Sequence, residues 1–157
     1  MRAVDTNVLV RLVTRDDAQQ VAAAEAFIAR GAWVPHLVLA EAIWVLSSVY
    51  DLGSTDIATA IEMLLDHEHL TLQDSDAVAS ALVHYRRKPS LSFSDCVVLE
   101  VARKAGHLPL GTLDRDLSRL EGTQRCRGAV NPAFATSAKP IAVDGRAGRG
   151  IVSASKG

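Results

Sequence analysis

A chain of 157 residues that is 48% hydrophobic but only 4% aromatic is sized for one domain, its core packed from aliphatic side chains rather than stacked rings. The net charge of −1 conceals an asymmetry: residues 1–122 hold eleven Lys/Arg against seventeen Asp/Glu, whereas residues 123–157 hold six against Asp144 alone. The body therefore lacks the broad basic footprint of a general nucleic-acid binder, and any work on nucleic acid must rely on local arginines and bound cations.

The chain opens on a short apolar stub, Ala3-Val4, that stops at Asp5, after which Val8, Leu9, Leu12 and Val13 fall on one helical face. A strand that ends in a carboxylate and passes straight into a helix leaves two roles for Asp5. It is a helix N-cap, or the first acid of a site at the carboxyl end of a parallel sheet, where ligands bind in open α/β folds. Arg15-Asp-Asp17 reads as a turn, and Val21, Ala24, Phe27 and Ile28 as a helix closed by Gly31. Trp33-Val34 is a second strand, and Pro35 precedes an amphipathic helix from about Leu37 to Leu52, closed by Gly53. Ser54-Thr-Asp56 starts another helix carrying Ile57, Ile61, Leu64 and Leu65, and Leu70-Thr-Leu72 is a third strand.

Asp74 or Ser75 starts the next helix, with Val78, Leu82 and Tyr85, which Arg86-Arg-Lys-Pro89 terminates. Ser92 to Ala105 is a further helix stopped by Gly106, Leu108 to Leu113 a fourth strand ending at Asp114, and Arg115 to Leu120 a short last helix. Strands alternating with helices, with no hairpin signals, predict an α/β fold with a parallel sheet covered by helices on both faces. From Thr123 onward Gly, Ala, Ser, Pro and Arg dominate without periodicity. A basic, poorly ordered tail is expected over 123–157, with Ile141-Ala-Val143 as an isolated strand at most.

Cys96 and Cys126 make neither a disulfide framework nor a CxxC metal clip, which suits a reducing cytosol. No signal peptide is read at the start, because Asp5 interrupts it. The most apolar segment, Leu37 to Tyr50, is too short to span a bilayer and carries Glu41. A soluble cytoplasmic protein without membrane contact is the expectation.

Four carboxylates stand where acids are awkward. Asp5 and Asp114 each close a strand. Glu41 has the apolar helical neighbours Leu37, Val38, Trp44 and Val45, so it must be desolvated, find a cation or reach water at the edge of that face. Asp95 lies three residues after Ser92, the spacing of a capping box. Each has a purely structural reading as a cap or a face-boundary residue. Acids converging in one cleft would repel one another unless cations lay between them, and hard divalent metals take oxygen ligands. GxSxG, P-loop and GxGxxG motifs are missing, and the five histidines form no zincin pattern.

The stretches Val4-Asp-Thr-Asn-Val-Leu9, Leu39-Ala-Glu-Ala-Ile43, Phe93-Ser-Asp-Cys-Val-Val-Leu99 and Thr112-Leu-Asp-Arg-Asp116 together resemble the PIN domain, most nearly the VapC-type toxins of bacterial toxin–antitoxin pairs. The resemblance runs from residue 1 to about 122. It implies a three-layer α/β/α sandwich with a short parallel central sheet, and a Mg²⁺- or Mn²⁺-dependent endoribonuclease acting on RNA. It implies Asp5, Glu41, Asp95 and Asp114 as catalytic acids, with Asp5, Asp95 and Asp114 holding the metal. Thr6, Asn7, Ser94 and Asp116 follow as auxiliary residues, the first two steadying Asp5 or its water. A homodimer and a small antitoxin whose C-terminal segment fills the cleft are further implications.

Two alternatives stay open at this stage. One is a PIN-like module that binds RNA or protein without cleaving. The other, a haloacid dehalogenase-type phosphohydrolase, would place a second acid two residues after Asp5, where this chain has Asn7. The resemblance leaves residues 123–157 uncovered and the fifth strand, at Thr123 to Cys126, in doubt.

Overall fold

A computed structural model describes residues 1–128. One unit, Met1–Cys126, carries the described elements. In chain order these are β1 (Arg2–Ala3), α1 (Thr6–Thr14), α2 (Ala18–Ile28), β2 (Ala32–Val34), α3 (His36–Ser48), α4 (Ser54–Leu65), β3 (Leu70–Leu72), α5 (Ser75–Arg87), α6 (Phe93–Lys104), β4 (Leu110–Thr112) and β5 (Thr123–Arg125). A 3₁₀ turn, Leu117–Arg119, lies between the last two strands. Every strand pair is parallel, as the strand–helix alternation requires. The architecture is the expected α/β one, helices layered about short parallel strands in an α/β/α sandwich.

The core gathers side chains from almost every element: Leu9 of α1, Ile28 of α2, Val34 of β2, Leu39 and Leu46 of α3, Ile57, Ile61 and Leu64 of α4, and Val78 of α5. Cys96 of α6 belongs to it too; its thiol is free and buried. α1 packs on α2 and α3, α4 on α5, and α5 on α6. This aliphatic packing supplies the hydrophobic driving force.

The strands do not form one continuous ladder. β1, β2 and β3 pair in that order, while among the described residues β4 pairs only with β5. β1 is two residues long, and its inner neighbour takes up its bonding, with the Val4 amide reaching the Trp33 carbonyl at 3.2 Å. The strands closed by Asp5 and Asp114 therefore belong to separate ladders. β5 lies just beyond residue 122, where the sequence ends the domain. Its backbone bonds with β4 include the Leu110 amide to the Gly122 carbonyl at 2.8 Å and the Cys126 amide to the Thr112 carbonyl at 2.8 Å. Residues 129–157, most of the expected tail and the whole of Ile141 to Val143, lie outside the described residues.

Three boundaries differ from the sequence expectation. α3 ends at Ser48, not Leu52, because the Leu52 amide folds back onto the Leu46 carbonyl at 3.1 Å with Asp51 in the left-handed region at φ 56. Gly53 then serves as the N-cap of α4 instead of the stop of α3. The last helix shrinks to the 3₁₀ turn, pinned by side-chain bonds described below. Among the described residues no helix is long and apolar enough to cross a membrane.

Candidate active site

Asp5 leaves β1 with extended backbone, φ −98 and ψ 177, and its Oδ1 accepts the Val8 amide at 3.1 Å. It is thus the N-cap of α1, a position where a short acceptor satisfies an otherwise orphaned donor. Thr6 opens that helix and donates its hydroxyl to Glu41 Oε2 of α3 at 2.7 Å. This bond joins two motif positions that lie 35 residues apart in the chain. Thr6 therefore steadies Glu41, not Asp5, and Asn7 makes no side-chain bond to Asp5 among the described residues.

Of the three readings of Glu41, the structure gives the last: it reaches water at the edge of the apolar face. Leu37 is 78% exposed and Trp44 63% exposed, whereas Val38 and Val45 are half-buried against the core. α3 is apolar nearly all round, and its core row is Leu39, Ala42, Ile43 and Leu46. Glu41 is accordingly exposed, held by a hydroxyl and not stranded in the interior.

Asp95 takes part in a reciprocal pair with Ser92, the N-cap of α6. The Asp95 amide donates to Ser92 Oγ at 3.1 Å, and Ser92 Oγ donates to Asp95 Oδ2 at 2.7 Å. The carboxylate thus meets the cap's hydroxyl, a variant of the capping box in which it would reach the cap's amide. Ser94 touches Ser92 Oγ at 3.0 Å, so Ser92 is the residue that holds Asp95 and Ser94 acts one bond further out. Burial, then the neighbouring charge of Asp95, pushes the Cys96 thiol up to about 11. A protonated, buried thiol packs; it is no nucleophile.

Asp114 follows β4 by two residues and organises the 3₁₀ turn. Its Oδ1 accepts the amides of Asp116 and Leu117, each at 2.7 Å. The Leu117 amide chiefly holds its carboxyl below the ordinary value of 3.8; burial opposes it, and the Asp116 amide and the nearby Lys88 ammonium assist. Lys88 itself donates to the Asp116 carbonyl at 2.9 Å and pairs with Asp116 Oδ1 at 3.2 Å. It ties the loop after α5 to the turn carrying Asp114. Lys88 is the contributor that motif reading missed. Ser92 was legible as a cap, whereas nothing local marks a lysine whose partner lies 28 residues on.

In each of the four acids one carboxylate oxygen is engaged, and the other has no hydrogen-bond partner among the described residues. Capping and ligation therefore do not compete, because a carboxylate has two oxygens to divide between them. The carboxylates do not close into a cage: among the described residues no three His, Cys, Asp or Glu side chains gather as a ready metal site.

Of the arginines near these elements, Arg11 binds Asp16 and Gln20, Arg15 pairs with Glu25, and Arg86 pairs with Glu62. Arg87 and Arg115 form no ion pair among the described residues.

Among solved structures, VapC20 of Mycobacterium tuberculosis, a toxin that cleaves the sarcin–ricin loop, is 22% identical over 75% of this chain and 93% of its own, with a TM-score of 0.36. No curated protein matches the chain. The family model of the PIN domain matches residues 2–122, a span that takes in all four acids and the elements that cap and carry them. The chain belongs to the PIN domain family.

Proposed function

We propose that this PIN domain is a Mg²⁺- or Mn²⁺-dependent endoribonuclease and the toxin of a toxin–antitoxin pair. The observation that carries the reading is the divided use of the four carboxylates: Asp5, Glu41, Asp95 and Asp114 each anchor one oxygen locally and leave the other open. All-oxygen, anionic donors fit a hard divalent cation. Mg²⁺ uses one or two carboxylates directly and keeps several waters, so a closed three-ligand cage is not required. Asp5, Asp95 and Asp114 would hold the ion, directly or through water. Bound there, it supplies polarisation of the phosphodiester, a more acidic water and stabilisation of the leaving oxygen.

The chain's own residues do the positioning. The Val8 amide fixes Asp5, Ser92 fixes Asp95, and the Asp116 and Leu117 amides fix Asp114. Glu41, oriented by Thr6, holds the attacking water or accepts its proton. Asp116 is engaged by Lys88 and acts as an auxiliary residue. The outward apolar row of Leu37 and Trp44 beside Glu41 suits cover by another chain, in keeping with an antitoxin segment and a homodimer in the cytoplasm.

The test is RNA cleavage with Mn²⁺ and with EDTA, for the wild type and Asp95→Asn. The expected result is cleavage only by the wild type with metal. Equal activity in all samples overturns the metal mechanism. Tight RNA binding without cleavage of any substrate favours the silent binding module instead.

A further inference from the structure

Away from the four acids, the start of α4 and the end of α5 enclose a pocket of about 150 Å³. A water claims about 30 Å³ of liquid volume, so a tetrahedral oxyanion has room here. The walls include Ser54, Thr55, Thr59, Tyr85, Arg86 and Pro89, and no carboxylate lines it.

Gly53, the N-cap of α4, supplies no side-chain acceptor, and the first intrahelical bond runs from the Ile57 amide to the Gly53 carbonyl at 3.0 Å. The amides of Ser54, Thr55 and Asp56 therefore have no acceptor within the helix, and they sit at the positive end of a 12-residue helix. The Thr59 hydroxyl is committed to the Thr55 carbonyl at 3.0 Å. Those of Ser54 and Thr55 make no hydrogen bond among the described residues.

Tyr85 points to a ligand independently. It is 8% exposed, its ring stands edge-on to Phe93 at 5.9 Å, and it lines this pocket. Its hydroxyl has no hydrogen-bond partner among the described residues. The ring is buried but the hydroxyl still reaches solvent, which leaves it free to bond a group held in this pocket. Arg86 lines the pocket as well, its charge balanced by Glu62. Its two terminal nitrogens hold Glu62 at 3.2 and 2.8 Å, outside the lining, and its Nε remains uncommitted. Asp56, the acid in the first turn of α4, is exposed and also outside the lining.

We propose that this pocket is an oxyanion subsite that takes a phosphate group, on the Ser54 and Thr55 amides, the Tyr85 hydroxyl and the Arg86 guanidinium. The phosphate is that of a polynucleotide backbone or a free anion. The first source rests on the nuclease reading; the oxyanion chemistry does not. Pro89 belongs to the loop that carries Lys88 to the Asp114 turn and leads to Ser92.

The experiment follows backbone amide resonances of the full chain, without divalent metal. Inorganic phosphate is titrated in, chloride serves at matched ionic strength, and a 2′-O-methyl oligoribonucleotide is used in a second arm. The Ser54 and Thr55 amides shift with phosphate and not with chloride. Tyr85→Phe keeps the ring on Phe93 and weakens phosphate binding about fivefold, the loss of one hydrogen bond. Ser54→Pro removes one amide where helices accept proline and weakens it about tenfold. If Ser54→Pro does not fold, Tyr85→Phe decides. Amides that stay still under phosphate, or binding unchanged in Tyr85→Phe, overturn the proposal. Matching shifts from the oligonucleotide assign the subsite to a backbone phosphate, and shifts from phosphate alone assign it to a free anion. Absence of Mn²⁺-dependent cleavage would count against the nuclease reading and leave these shifts as they are.

Discussion

Replacing Thr6 with valine removes a hydroxyl and keeps the branched shape. Thr6 Oγ1 sits 2.7 Å from Glu41 Oε2, a short bond to a charged acceptor, and such bonds are stronger than neutral ones. Thr6 is half-buried and Glu41 exposed, so water competes and the net worth falls to about 1 kcal/mol. That corresponds to about a fivefold change in an equilibrium or rate constant. Equilibrium urea unfolding of Thr6→Val, Glu41→Gln and the double variant measures the bond as a coupling energy. On the nuclease reading, Thr6→Val lowers Mn²⁺-dependent cleavage about fivefold, because Glu41 must then find its orientation unaided. Thr6→Ser retains the hydroxyl and restores most of the loss. The reasoning fails if Thr6→Val costs as much without the Glu41 carboxylate as with it, or if Thr6→Ser is as impaired as Thr6→Val.

Other outcomes follow from features elsewhere. Leu46 of α3 is fully buried, and Leu46→Ala is expected to cost about 2–5 kcal/mol in urea unfolding with an unchanged m-value. The hydroxyl of Thr14, then Arg11 and Tyr50, hold the Asp16 carboxyl at about 2 against an ordinary 3.8. A depressed carboxyl stabilises the fold above its unfolded value and ceases to do so as pH falls through the folded one. Asp16→Asn should therefore flatten the fall of the urea midpoint between 3.8 and about 2, and an unaltered profile would refute the role. Gly122 has φ +87, and a Cβ there would meet Arg103 Nη2 at 3.0 Å and Leu108 Cδ1 at 3.2 Å. Gly122→Ala should lose about 1–2 kcal/mol, read as a lower thermal midpoint.

Much of the architecture is legible because periodicity reports burial. The rows Leu9–Leu12, Ile57–Ile61–Leu64 and Val78–Leu82 are buried in the structure as their spacing predicts. α3 is the instructive exception. With apolar residues on almost every side, its sequence does not say which row turns inward, and Leu37 and Trp44 sit outside. β5 is hard to read for a different reason. Thr123, Gln124 and Arg125 are polar and lie at an edge, so the strand rests on backbone bonds that leave no hydrophobic pattern. Among the acids, the caps made by Asp5 and Asp114 follow from sequence position. The Thr6–Glu41 and Lys88–Asp116 links depend on how distant helices pack, which no local window contains.

The division of the strands into two ladders has a consequence for motion. β4, β5 and the 3₁₀ turn share no backbone bonding with β1–β3, and side chains help fasten them to the helices. Lys88 grips Asp116, and Arg103 donates to the Glu121 carbonyl at 2.7 Å. Such a segment is a candidate for opening as a unit at a lower free energy than the whole domain. Native-state hydrogen exchange should then split the protein in two, the amides of Leu110 and Cys126 exchanging together and ahead of those in α1. Asp114 travels with the faster group and Asp5 with the slower. The two acids would then be kept in step by a handful of side chains and not by a common sheet.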